Sequence, residues 1–166
     1  MICPVCQWDN YAGDDLCENC GADLRASDTP EPAIGFHGLL LGTPLAELNA
    51  PEPETVEATA DVAEAIDRMH REGIDCLLVT EGGRLVGIFT DRDAVLKLAG
   101  HGPEHRPIGE LMTTDPVVLR HDDPIAVAIH KMAVGGFRHV PIVQDGRPIA
   151  VVSARDVFRH IATRLT

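Results

Sequence analysis

The chain has 166 residues, 45% of them apolar, and a formal net charge of −12. That length holds one domain of ordinary size and a small appendage, and the charge argues against a nucleic-acid backbone or an anionic membrane as a nonspecific partner. No apolar run approaches the roughly 18 residues of a transmembrane helix, and the opening MICPVC has no basic region followed by an apolar one, so a cytoplasmic protein is expected.

Residues 1 to 24 carry four of the five cysteines, as Cys3-Pro-Val-Cys6 and Cys17-Glu-Asn-Cys20. Two CxxC pairs at this separation can set four thiolates around one tetrahedral ion, and so short a segment has no other means of building a core. Zinc is the expected metal, with Cys3, Cys6, Cys17 and Cys20 as ligands and a short zinc ribbon as the fold. Disulfides and four-thiolate iron are the alternatives. Asp9, Asp14, Asp15, Glu18 and Asp23 face a single Arg25, so the expected role is structural or protein docking, with no nucleic acid. Trp8 and Tyr11 are either contact residues or packing over the cysteines.

Residues 25 to 43 change to Ser, Pro, Gly and Thr and then to a short apolar patch. The first half reads as a linker. Phe36, Leu39, Leu40 and Leu41 are expected to pack on the larger C-terminal part of the chain, and His37 is left out of the metal site.

From Pro44 onward the chain repeats itself. Pro44 to Leu98 and Pro107 to Ile161 align without a gap at an offset of 63, sharing 13 identities in 55 positions where unrelated sequences share roughly three or four. Thr59 to Arg71 places Val62, Ala65, Ile66 and Met69 on one helical face, with Thr59 as the expected N-cap and Gly73 beyond the end. Cys76 to Thr80 and Leu85 to Phe89 read as strands around Glu81-Gly82-Gly83-Arg84, a hairpin turn. Thr90 then begins a helix through Val95 and Leu98. The second copy offers Asp123 as cap, Pro124 at the first helical position, Ile125, Ile129 and Met132 on the helix, Gln144-Asp145-Gly146-Arg147 at the turn and Ser153 at the last helix start. A short strand is expected ahead of each unit, at Thr55-Val56 and at Val117-Val118-Leu119. The fold class is mixed α/β (α+β), a duplicated unit with helices on one face of a small sheet.

The gapless repeat, IGELMTTDPVVL leading into the second copy, GFRHVPIV in its middle and the closing patterns GIFTDRD and AVVSARD together resemble the CBS (cystathionine β-synthase) domain. The domain organisation is then residues 1 to 24 as ribbon, 25 to 43 as linker, 44 to 100 as the first repeat and 107 to 166 as the second. The resemblance implies a tandem pair with two clefts for adenine nucleotides or related adenosyl ligands. It also implies a homodimer, for which the helices carrying Met69 and Met132 are candidate surfaces, those methionines being otherwise intramolecular core.

Thr90-Asp91-Arg92-Asp93 and Ser153-Ala154-Arg155-Asp156 each place a hydroxyl and a carboxylate three residues apart at a helix start. Read from the residues alone they are N-caps with first-turn acids. The resemblance implies that Asp93 and Asp156 accept from ribose hydroxyls and that Thr90 and Ser153 hold the ribose or phosphate side. It also implies that Arg138 and His139, supported by Arg92 and Arg155, face phosphate, while adenine lies near Val117 and Val118 with backbone groups around Thr114 reading its edge. Asp75 stands in the first copy where Arg138 stands in the second, so the clefts are expected to differ. The expectation groups Asp156 with Arg138, His139 and Arg155, and Asp93 with the repelling Asp75. Cys76 is expected to be a buried packing residue.

No nucleophile elbow, Walker pattern or HExxH occurs in the sequence, and a closed four-cysteine site has no open metal position. The expected function is therefore a non-enzymatic regulatory sensor of AMP, ADP or ATP that docks an unknown regulated protein. A scaffold with unoccupied clefts and an iron redox protein are the other readings.

Overall fold

A computed structural model describes residues 3, 5–10, 15–22, 36–98 and 105–164, without the side chains of Phe36, His37 and Leu39, so the expected packing of Phe36 and Leu39 and the role of Tyr11 lie outside the described residues. The chain divides into two units, Met1–Leu39 and Leu40–Thr166. In the first, Cys3 and Cys17 are buried and head two turns of one design. The Gln7 N–H donates to the Cys3 carbonyl and the Gly21 N–H to the Cys17 carbonyl, both across turns that end on a left-handed residue. Buried Asn10 ties the turns together, its amide donating to the Trp8 carbonyl and its oxygen accepting from the Glu18 N–H. Trp8 itself is exposed.

The helix α1 (Phe36–Gly42) crosses that division, and in the second unit a 3₁₀ turn (Leu45–Leu48) leads to β1 (Thr55–Glu57), α2 (Val62–Glu72), β2 (Cys76–Glu81), β3 (Arg84–Thr90) and α3 (Asp91–Leu98). A second 3₁₀ turn (Ile108–Glu110) leads to β4 (Thr113–Thr114), α4 (Ile125–Gly135), β5 (His139–Gln144), β6 (Arg147–Ser153) and α5 (Ala154–Arg164). The four-stranded sheet has the order β1-β2-β3-β4 and the other sheet is the hairpin β5-β6. The hairpins are duplicates: Gly82 and Gly83 in one, Asp145 and Gly146 in the other, all have positive φ, as a two-residue primed turn requires. A register shift also recurs, at Val79/Thr80 and at Ile142/Val143. Gly73 and Gly136 end α2 and α4 in the left-handed conformation.

The entry segments are exchanged between repeats. Ile108 and Leu111, which open the second repeat, are buried with Val62, Met69, Leu77, Val79 and Phe89 of the first. Leu45, which opens the first, is buried with Leu119, Ile125, Met132, Val140 and Val152 of the second, and Leu40 packs there too. The backbone follows the same two-fold. Leu45 N–H donates to Asp123 O at 2.9 Å and Ile108 N–H to Ala60 O at 2.8 Å. Ala46 N–H donates to His121 O at 2.8 Å and Gly109 N–H to Ala58 O at 2.9 Å. Each repeat thus completes its core with a piece of the other.

Five expectations change. Leu41 is exposed, because the turn of α1 that buries Leu40 points its neighbour away from the core. The N-cap of α2 is Asp61, whose carboxylate accepts from the Ala63 and Glu64 N–H groups, in place of Thr59. At α4 the cap position is Pro124, and the Asp123 carboxylate accepts instead from the Arg120 N–H. Met69 and Met132 are buried in the cores of their own repeats, so any association surface on α2 and α4 would be made by their other residues. Val117 and Val118 are outside any strand, and only Leu119 bridges β5, opposite Ile142. The reason is Pro141. In the first repeat the Leu78 N–H donates to the Glu54 carbonyl, and the equivalent bond to Val117 is impossible because proline has no N–H.

Leu45→Ala and Ile108→Ala are each expected to lower stability by about 2–5 kcal/mol, since each empties a site in the opposite repeat's core. Urea unfolding checks this, and losses below about 1 kcal/mol would show that the exchanged segments are not part of either core.

Candidate functional site

The first-repeat closing pattern is a reciprocal capping box. Thr90 N–H and Oγ1 donate to Asp93 Oδ2 at 3.0 and 2.8 Å, and the Asp93 N–H donates back to Thr90 Oγ1 at 3.3 Å. Ser153 and Asp156 repeat it at 2.9, 2.6 and 3.2 Å. The capping reading of both aspartates is therefore correct as far as Oδ2 goes. What distinguishes them is Oδ1. In Asp93 it meets Lys97 Nζ at 2.8 Å and accepts from Thr113 Oγ1 at 3.1 Å. In Asp156 it faces the Arg159 guanidinium at 3.7 Å. Partial burial pushes the Asp93 carboxyl up, but the hydrogen bonds from Lys97 and Thr90 outweigh it and hold the group below the usual carboxylate range.

A cavity of about 420 Å³ opens beside Asp93, lined among others by Thr90, Arg92, Thr113, Val117, Phe137 and Arg138. It joins the closing pattern of the first repeat to the entry of the second. A smaller cavity of about 110 Å³ is lined by Asp75, Arg138, His139, Ser153, Ala154 and Arg155. The expected grouping changes in part: Asp93 shares its cleft with Val117, Arg138 and His139 and not with Asp75, whereas Arg138, His139 and Arg155 do meet in the smaller cavity beside Ser153, with Asp75 there too. Asp156, Thr114 and Val118 line neither cavity. Thr113, Phe137 and Asp115 do line the larger one and escaped the sequence reading. Only the offset of 63 applied to both ends of the cleft together could have found them, because they are ordinary loop and strand residues.

Charge in the larger cleft is finely divided. Asp91, Asp93 and Asp115 stand with Arg92 and Arg138. Arg92 donates to the Gly136 carbonyl at 3.3 Å and Arg138 lies 3.8 Å from Asp91. His139, mostly buried, places Nε2 3.2 Å from Asp75 Oδ1 across the repeat boundary. Cys76 is buried, and burial together with Asp75, Asp93 and Asp91 pushes its thiol up to about 12, which makes it a packing residue.

At the other end of the chain, the sulfurs of Cys3, Cys6, Cys17 and Cys20 lie within 4.8 Å of one another. Cys3 to Cys20 is 3.7 Å and Cys6 to Cys17 is 3.5 Å. Four sulfurs about 2.3 Å from a tetrahedral ion sit roughly 3.8 Å apart, whereas a disulfide brings them to about 2 Å. The quartet fits a four-coordinate metal, and the Val5 N–H already points at Cys3 Sγ from 3.4 Å. Among the described residues no helix is long and apolar enough to cross a membrane.

Two repeats with exchanged entries and a cleft between them define a tandem α+β module. The model of the CBS domain matches residues 45–100 and 108–163, and the chain belongs to the CBS-domain family. It is 34% identical over 114 residues, 67% of its length, to the CBS domain-containing protein CBSCBSPB2 of Arabidopsis thaliana, and spans about a fifth of that relative's length (21%). Among solved structures it resembles the CBS-domain containing protein ATU1752 of Agrobacterium tumefaciens at 30% identity and a TM-score of 0.66, covering 71% of this chain and 98% of that one. It also resembles the CBS domain pair of the protein MJ0100, solved in complex with 5′-methylthioadenosine and S-adenosyl-L-methionine, at 27% identity and a TM-score of 0.64, again over 71% and 98%.

Asp93, with its lowered carboxyl, stabilises the fold above the ordinary carboxylate pKa, and this contribution is lost as pH falls through the depressed folded value. Asp93→Asn is expected to cost about 1 kcal/mol at pH 7, with the gap from the wild type narrowing toward pH 3. Thermal melts at the two pH values test it, and a gap constant with pH would count against the ionised carboxylate as its source.

Proposed function

We propose that the chain is a non-catalytic regulatory module whose larger cleft takes an adenosine ligand of low negative charge. The observation that carries this is the cleft of about 420 Å³ lined by both Asp93 and Arg138, a size within the roughly 300–1,000 Å³ of small-molecule sites. Asp93 Oδ1 is the acceptor for the sugar hydroxyls, in exchange for Thr113. Val117 and Phe137 supply the apolar surface for the base, and Arg138 the charge for one phosphate or a carboxylate. The adenosyl ligands of the MJ0100 domain pair support the same class. Three carboxylates against two arginines favour AMP, 5′-methylthioadenosine or S-adenosyl-L-methionine over ATP. Ligand filling a cleft built from both repeats biases the angle between them, which is how such a module signals to a regulated protein.

Calorimetry with AMP, ATP and S-adenosyl-L-methionine tests this reading. Asp93→Ala is expected to weaken binding at least about tenfold, the loss of one charge-assisted hydrogen bond. Asp156→Ala removes the matching cap outside the larger cleft and is expected to cost similar stability with affinity unchanged. Equal affinity loss in both variants would return Asp93 to a purely capping role, and no binding of any of these ligands by the wild type would remove the sensor reading.

For the cysteine quartet the proposed ion is one structural zinc per chain. The metal holds the two turns in place of a hydrophobic core, and exposed Val5, Trp8 and Leu16 then form a surface for protein docking. Elemental analysis of the purified chain is expected to give one zinc, with Cys17→Ser losing it. Iron in its place, or metal-free protein with paired cysteines, would overturn the assignment.

A further inference from the structure

Phe137 carries the only phenyl ring among the described residues that line the larger cleft. It is half-buried, packing against the core of the second repeat as well as lining the cavity. The two residues before it are both glycine, for different reasons. Gly136 takes a φ of 66°, the left-handed value that ends α4. Gly135 is the last residue of that helix and is not among the glycines of positive φ. The backbone therefore makes no demand for glycine at 135, and alanine is the better helix former. What glycine supplies there is room. A Cβ at that position would overlap Phe137 Cε1 and lie 2.5 Å from Cδ1 and 2.9 Å from Cζ, where carbon atoms in contact need about 3.5–4 Å. The ring is folded back over the bare Cα of Gly135, and both residues belong to the cavity wall.

The peptides on either side of Phe137 are fixed. The Gly136 carbonyl accepts from the Arg92 guanidinium at 3.3 Å, and the Gly136 N–H donates to the Met132 carbonyl at 2.9 Å. Beyond the ring, the Arg138 carbonyl accepts from the Ala154 N–H at 2.8 Å. With the backbone held on both sides, a side chain at 135 could be accommodated only by turning the ring about its own bonds, away from its present place on the wall. The first repeat has no such arrangement. Glu72 and Ile74 stand where the second has Gly135 and Phe137, and the Glu72 carboxylate is drawn to Arg68 and Arg71.

Resting on the adenosine ligand proposed above, we propose that the Phe137 ring is the surface on which the ligand's base stacks, and that Gly135 is the positioning residue that sets this ring by having no side chain. A flat ring offers a purine a π-face that aliphatic Val117 lacks. Stacking of a base on an aromatic side chain changes affinity by roughly five- to a hundredfold.

Calorimetry with AMP on the full chain, with thermal melts of every variant, tests this as a double-mutant cycle. Phe137→Leu is expected to weaken AMP binding at least about fivefold, and Gly135→Ala by a similar factor. In the double variant the smaller side chain accommodates the added Cβ, so its affinity is expected within about twofold of Phe137→Leu alone. Losses that multiply would show Gly135 acting on the cleft without the ring, and would overturn its role. Wild-type affinity in Gly135→Ala or in Phe137→Leu overturns the proposal while leaving the ligand class of the cleft intact. A Gly135→Ala chain that unfolds but is rescued by Phe137→Leu still assigns the clash to the ring. One that the second substitution does not rescue makes Gly135 a residue of the fold and removes it from positioning. Failure of the wild type to bind AMP or S-adenosyl-L-methionine is the distinct result that removes the ligand class itself, and this assignment with it.

Discussion

Exchange of the entry segments is the constraint on which the rest of this module depends. A small sheet with two helices leaves one edge of its core uncovered, and here Ile108 covers the first repeat while Leu45 covers the second. Because each entry is tied down by backbone hydrogen bonds to the loop before α2 or α4 of the other repeat, the two copies cannot be treated as beads on a string. The clefts are products of that exchange: residues just beyond an entry segment are carried to the closing pattern of the opposite repeat. Thr113 reaches Asp93 in this way and Arg138 shares a cavity with Thr90.

The two closing aspartates use their carboxylate oxygens in different ways. Oδ2 completes a capping box that any helix would profit from, and Oδ1 is presented to whatever lies opposite. For Asp93 that is Lys97, Thr113 and the open cavity; for Asp156 it is a distant Arg159. Lys97 also donates to the Leu111 carbonyl at 2.7 Å, so it pins α3 to the entry of the second repeat as it neutralises Asp93. Under the function proposed above, a ligand that draws on Asp93 would pull on this contact between repeats.

Divergence after duplication was inexpensive in sequence terms. Leu78 and Pro141 differ by one backbone proton donor, and Asp75 and Arg138 by the sign of one charge. The cores had to keep apolar residues to pack, whereas a lost donor at a strand and a reversed charge at a cleft mouth leave that packing intact, so the clefts were free to differ while the fold was not.

Much of this was legible from the residues alone. The offset of 63, the glycines that end α2 and α4, the paired turns around Gly83 and Gly146 and the cysteine spacing all depend on covalent neighbours and on local period, which sequence displays directly. So did the family, and with it the α+β fold. The sequence did not reveal which aspartate meets which arginine, that Asp61 rather than Thr59 caps α2, or that Met69 and Met132 are spent inside the molecule. Those depend on contacts between segments tens of residues apart, decided when the entries cross over and the cores close. A proline visible at position 141 acquired its meaning only then, because a missing N–H matters only where the partner carbonyl has been brought opposite it.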